Sequence, residues 1–183
     1  MNYSLIWRKK VHIFLLYLQP FTNSGTLNAH MQQKFPIPEL YFLYADDDQD
    51  DREAFVELIG QLEPAMEALT CKQGLELVQF LESLDAGDPL PCCIILDMNM
   101  PLWDGLHTLA ELKKHPQYAH VSIVMFTTSS ADRDVQRSMA LGAEAFITKP
   151  LRLVEFENVA KQFSLFCAKT PTKKMELSIK KPH

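Results

Sequence analysis

The chain has 183 residues, 47% of them hydrophobic, which is enough for one sizeable core and too short for several. Its formal charge of -5 argues against an electrostatic nucleic-acid binder, which needs a basic face or stripe. The four cysteines, Cys71, Cys92, Cys93 and Cys167, form no CxxC pair and flank no zinc-spaced histidine, so they are expected to be reduced and mostly buried rather than a disulfide scaffold.

Residues 1–38 read as an extension outside the folded domain. Arg8, Lys9 and Lys10 precede an apolar run over residues 11–18, the layout of a signal peptide or membrane anchor. That run is too short to cross a bilayer, which takes about 20 apolar residues, and His12 interrupts it. Export would also sit badly with unpaired cysteines. The competing reading is an appendage upstream of a natural start at Met31, with no membrane association.

Residues 40–45 are aromatic and apolar and follow Pro36 and Pro38, which predicts a first strand. Asp46, Asp47 and Asp48 come directly after it. Ala54, Phe55, Leu58, Ile59 and Leu62 then recur at helical spacing, so a helix is expected from about Gln49 to the region of Gly60 and Pro64. The unit repeats. A second strand is expected over residues 65–71, with a helix carrying Leu75, Val78 and Leu81 that stops before Ala86-Gly87-Asp88-Pro89.

The stretch Cys-Cys-Ile-Ile-Leu-Asp-Met-Asn-Met-Pro-Leu-Trp-Asp-Gly over residues 92–105 organises the rest. Its opening suits a strand buried on both faces of a parallel sheet, and Asp97 ends it. Cys92 and Cys93, adjacent on that strand, point to opposite faces and cannot together chelate one ion. Pro101 breaks the extension, and Asp104 can cap a helix marked by Leu106, Leu109, Ala110 and Leu112. A fourth strand is expected over residues 121–126 with a helix from about Ala131 to Leu141. A fifth, over residues 145–148, precedes Lys149-Pro150 and a last helix bearing Leu153, Phe156, Val159, Phe163 and Phe166. From Lys169 on, the chain reads as a solvated tail.

Five strands alternating with five helices predict a doubly wound α/β fold, a three-layer sandwich around a five-stranded parallel sheet. Such sheets place ligands past the carboxyl ends of their strands. Asp46 and Asp47, Asp97, Thr127 with Thr128, and Lys149 all fall at that edge. Carboxylates gathered there repel one another by about 4 kcal/mol per pair at 4 Å and an effective dielectric near 20. They call for a cation, and oxygen-only ligands in a shallow site suit Mg²⁺. Lys149 and the Thr127 hydroxyl could then receive the oxygens of a phosphoryl group on Asp97. Each residue also has a plain role: the aspartates as helix caps, Lys149-Pro150 as a loop, and residues 127–130 as a helix-start cluster. The plain roles do not explain why every donor and acceptor falls at one edge.

Residues 40–166 resemble the receiver domain of bacterial two-component response regulators, the CheY-like fold. The resemblance is carried by Asp46-Asp47, by Ile-Leu-Asp-Met-Asn-Met-Pro-Leu-Trp-Asp-Gly around Asp97, by Thr127 and by Lys149-Pro150. Thr127 and Lys149 follow Asp97 by 30 and 52 residues. The resemblance implies a flavodoxin-like strand order 2-1-3-4-5 and a receiver domain over residues 39–168, with a tail over 169–183. It implies that Asp97 accepts a phosphoryl group from the phosphohistidine of a sensor histidine kinase or phosphotransfer protein. Mg²⁺ would be held by Asp47, Asp97 and the Asn99 carbonyl, with Asp46 acting through water. Thr127 and Phe146 would be switch residues, Lys149 would pair with the phosphoryl group, and the Lys149-Pro150 bond would be cis. Ser129 and Asn99 would tune phosphoryl lifetime.

The implied protein is a cytoplasmic signalling domain rather than an enzyme, with self-catalysed phosphoryl transfer and loss. A homodimer through its last two helices is compatible with it, and its downstream protein target is unassigned. Two other readings stand beside it: a degenerate receiver that binds partners without phosphorylation, and a Mg²⁺-dependent phosphatase with Asp97 as nucleophile. The phosphatase would want a carboxylate at position 99, where the chain has Asn. The acidic run with Asp48, Asp50 and Asp51 is expected to be a solvated, capped helix start.

Overall fold

A computed structural model describes residues 37–150 and 152–167. The expectations for a leader or appendage and for the tail fall on residues outside that range. Among the described residues ten elements alternate in strict order: β1 (Tyr41–Ala45), α1 (Gln49–Leu62), β2 (Glu67–Cys71), α2 (Gly74–Glu82), β3 (Cys93–Leu96), α3 (Gly105–Lys114), β4 (Ser122–Thr127), α4 (Asp132–Ala140), β5 (Ala145–Thr148) and α5 (Leu153–Cys167). The strands form one parallel sheet in the order β2-β1-β3-β4-β5. This is the doubly wound, flavodoxin-like arrangement, with the reversal of winding between β1 and β3.

Strand registers carry the site residues to a common level. Ala45 pairs with Leu96 and Leu96 with Met125, so Asp46 and Asp97 leave adjacent strands at the same height. Asp97 N–H still donates to the Ala45 carbonyl at 2.9 Å, which extends the ladder one step into the acidic edge. Thr127 pairs with Thr148, placing Lys149 one residue past the last rung.

Because β1, β3 and β4 are buried on both faces, alternate side chains feed two cores. One face gathers Leu43, Ile94, Ile123 and Met125 beneath Leu77 of α2 and Leu109 of α3. The other is aromatic: Phe42, Tyr44 and Phe126 from the strands meet Phe55 of α1 and Phe163 of α5. The Phe163 ring lies edge-on to those of Phe42, Phe55 and Phe126 at 6.3, 5.7 and 5.3 Å between centroids. Such contacts add to the burial of area.

Three expectations need correction. Cys92 and Cys167 are joined by a disulfide, although all four cysteines were expected to be reduced. The alternation argument does keep Cys92 and Cys93 apart; it is blind to Cys167, 75 residues later, which α5 brings beneath the start of β3. Cys71 and Cys93 are free and buried, as expected. The Lys149-Pro150 peptide is trans, since the described residues contain no cis bond. Trans is the favoured isomer even before proline, and in it the Lys149 N–H donates to the Thr127 carbonyl at 2.8 Å. The second strand starts at Glu67, not Ala65, because Met66 N–H closes a turn onto the Glu63 carbonyl at 2.8 Å.

Candidate functional site

At the carboxyl edge, the acidic loop after β1 is shaped by hydrogen bonds from its own aspartates. Asp48 is the N-cap of α1 and accepts from the Asp50 and Asp51 N–H groups at 2.8 and 3.2 Å. Asp46 turns inward and is fully buried. Its Oδ1 accepts from Asp48 N–H at 2.9 Å, and its Oδ2 accepts from the Tyr44 hydroxyl and from Lys149 Nζ, the latter at 2.6 Å. Arg52, itself buried, reaches back from α1 and donates from Nη1 to the Asp46 carbonyl at 2.6 Å.

Asp97 sits beside it. Its Oδ2 accepts from Asn99 N–H at 2.6 Å, and its Oδ1 lies 3.2 Å from Lys149 Nζ. The loop beyond Asp97 doubles back, with Gly105 N–H donating to the Met98 carbonyl at 3.0 Å. Gly105 is required there: a Cβ would stand 2.2 Å from the Asp97 carbonyl oxygen. Leu102 takes a left-handed backbone with φ of 64° and is exposed, a conformation the sequence reading did not foresee.

Lys149 therefore lies at the centre of the cluster. Its side chain is 8% exposed, and its ammonium contacts Asp46, Asp97 and also Asp51 Oδ2, at 2.6 Å. Burial alone would lower its pKa, but hydrogen bonds and charge from these carboxylates outweigh that and hold it well above the ordinary lysine value. Burial raises the pKa of Asp46, and Lys149 and Tyr44 pull against that rise. The direction that governs the pair is the lysine's: an ammonium touching three carboxylates stays charged. Burial, then the neighbouring Asp46 carboxylate, push the Tyr44 phenol well above its usual value.

The remaining expected residues surround this centre without all joining it. Thr127 is fully buried as the last residue of β4, and its hydroxyl accepts from Ser129 N–H at 3.3 Å. Ser129 in turn donates to Asp134 of α4 at 2.7 Å. Asp47 and Asn99 are exposed next to the two buried carboxylates. Phe146 is half-buried on β5 against the core that holds Leu43, Ile94 and Met125, and is paired in register with Met125. Asp51 was expected only to decorate a helix start. What identifies it is its contact with Lys149 across 98 residues, which no local pattern reports.

Among the described residues, no three carboxylate, thiol or imidazole side chains form a ready-made metal cage. The donor chemistry nevertheless suits a hard divalent ion. Asp46 and Asp97 are close enough to share one cation, which in this structure is the chain's own ammonium, and Asp47 lies beside them facing solvent.

Comparison with known proteins gives a concordant result. The model of the response regulator receiver domain matches residues 42–161. Response regulator Rcp1 of Synechocystis is 28% identical over 137 residues, covering 74% of this chain and 93% of that protein. The structure of the phosphorylated cyanobacterial phytochrome response regulator RcpA superposes with a TM-score of 0.63 at 26% identity, covering 72% of this chain and 96% of that one. The Mn²⁺-bound form of Rcp1 gives a TM-score of 0.62 at 28% identity over 72% and 96% of the two chains.

Proposed function

The chain belongs to the response regulator receiver domain family, and from that premise we propose that it is a phosphoacceptor switch acting on Asp97. It is a signalling domain of two-component systems. The observation that carries the finer reading is the meeting of Asp46, Asp97 and Lys149 at one edge of the sheet. The donor is the phosphohistidine of a sensor histidine kinase or phosphotransfer protein. A carboxylate oxygen of Asp97 bonds to phosphorus as the P–N bond breaks, and the electron pair returns to the imidazole nitrogen, which takes up a proton. Hydrolysis later returns phosphate and the free carboxylate, which completes the cycle.

Asp46, Asp47, Asp97 and the Asn99 carbonyl would hold Mg²⁺, which when bound supplies positive charge for the phosphoryl oxygens; the Mn²⁺ in the Rcp1 structure supports a divalent ion here. Lys149 neutralises charge on the transferred group, and Tyr44 with Arg52 fixes the Asp46 loop. Thr127 and Phe146 relay the change toward β4, α4 and β5, and the output is contact with a downstream protein. Ser129, tied to Asp134 of α4, lies where it can set the rate of hydrolysis. No described helix is long and apolar enough to cross a membrane. A kinase partner places the domain in the cytoplasm, where thiols are kept reduced, so the Cys92–Cys167 bond belongs to its oxidised form.

Acetyl phosphate with Mg²⁺ tests this reading. One phosphoryl group per chain is expected by intact mass, lost in Asp97→Asn. Absence of labelling leaves the phosphorylation-independent module, and steady turnover of organic phosphoesters would make the protein a phosphatase.

A further inference from the structure

Lys149 has three N–H donors, and three carboxylates surround them. Asp46 and Asp51 each accept at 2.6 Å, and Asp97 lies at 3.2 Å. Two of the three donors are therefore spent on hydrogen bonds to Asp46 and Asp51 before any phosphoryl group arrives, and Asp97 is held only as an ion pair. A phosphoryl group on Asp97 brings close to two negative charges and three strong acceptors, and Lys149 is the buried cation beside it. To offer the new group more than the contact it already makes to Asp97, Lys149 must withdraw a hydrogen bond from Asp46 or Asp51.

The two short contacts differ in what release would cost. The Asp46 side chain is 1% exposed, so losing its ammonium would leave a buried carboxylate with no cation but the divalent ion it would share with Asp47 and Asp97. The Asp51 side chain is 41% exposed, so water can replace the lysine at little cost. Asp51 is also held in place from behind, because its N–H is bound by the Asp48 cap in the first turn of α1. Asp50, its neighbour in that turn, is exposed as well and bonds the same cap, but it is not among the carboxylates on Lys149.

We propose that Asp51 is a positioning residue that holds Lys149 in the resting state and releases it to the phosphoryl group, so that it sets the balance between the two states. This rests on the reading of Asp97 as phosphoacceptor. Neutralising Asp51 weakens the resting hold and favours the occupied site.

The experiment compares wild type, Asp51→Asn and Asp50→Asn by titration with beryllofluoride, a phosphoryl analogue, at saturating Mg²⁺. Hydrogen exchange of the Lys149 ammonium, read by ¹⁵N NMR, is followed in the resting proteins. Asp51→Asn should bind the analogue roughly fivefold more tightly, the worth of one partly exposed ion pair, and should exchange its Lys149 protons faster. Asp50→Asn should match wild type in both. Equal tightening in the two variants would reduce the effect to general charge and overturn the proposal, as would unchanged Lys149 exchange in Asp51→Asn. If wild type neither binds the analogue nor takes label from acetyl phosphate, the phosphoacceptor reading itself fails, and this role for Asp51 fails with it.

Discussion

At the carboxyl edge of the sheet three aspartates crowd one ammonium, whereas at the amino edge Cys92 meets Cys167 among aromatic rings. The first region is an arrangement of like charges kept together by a single cation, and it is where the proposed phosphorylation would act. The second, in the oxidised form, closes a 75-residue stretch of chain over an apolar core and contributes stability without chemistry. The contrast sets an apolar end that packing, and in the oxidised form a disulfide, holds together against the charged edge at which the proposed switch would act.

The separation can be attacked from the amino edge first. Closing a loop of this length is worth roughly 4 kcal/mol, so Cys167→Ser should lose about that much relative to the oxidised protein in urea unfolding. Wild type with reductant should show the same loss. Labelling of Asp97 should be unaffected in both, and a parallel fall would mean the two edges are coupled.

From the other edge, Lys149→Met leaves Asp46 buried without its cation, which should cost about 3 kcal/mol near neutral pH. The pH dependence has a definite sign. Burial already raises the Asp46 pKa, and loss of Lys149 removes the largest of the interactions that oppose that rise, leaving the Tyr44 hydroxyl and the Asp48 N–H. A carboxyl whose folded pKa is raised stabilises the fold at low pH and loses that contribution as pH rises through the folded value. The deficit of the variant should therefore shrink on acidification, and a deficit independent of pH would contradict the electrostatic account.

Gly105→Ala tests how tightly backbone and chemistry are joined. The added Cβ would meet the Asp97 carbonyl oxygen at 2.2 Å and Met125 Cε at 2.8 Å, so the loop must shift. A loss of roughly 2 kcal/mol is expected, with slower labelling by acetyl phosphate. The smallest effect belongs to Asp48→Ala, which removes the α1 cap and should cost about 1 kcal/mol in thermal or urea unfolding.

The same contrast explains what could be read from sequence. The sheet was legible because β1, β3 and β4 carry apolar runs and α1, α2, α3 and α5 repeat apolar residues near 3.6 spacing, whereas β2, with Glu67 and Thr70, and α4 carry weaker patterns; β5 emerges over the residues expected. Asp46, Asp97 and Lys149 were legible because each follows directly on a strand, and topology alone brings strand ends together. Asp51 was not, because a helix-start aspartate looks the same whether it faces water or a lysine 98 residues away. The Cys92–Cys167 bond was hidden for the same reason: the position of the last turn of α5 under β3 is set by packing of Phe163 and its neighbours, not by spacing. The left-handed Leu102 gave no signal either, since glycine is the residue that marks such a turn.

The most direct test of the account is to find which atom carries phosphorus. Protein treated with acetyl phosphate and Mg²⁺ is reduced with borohydride, which converts an aspartyl phosphate to an alcohol, then digested and sequenced by mass spectrometry. The account predicts the modified side chain at Asp97, with Asp46, Asp47 and Asp51 unchanged. Modification at another residue, or none in a folded sample, would contradict it.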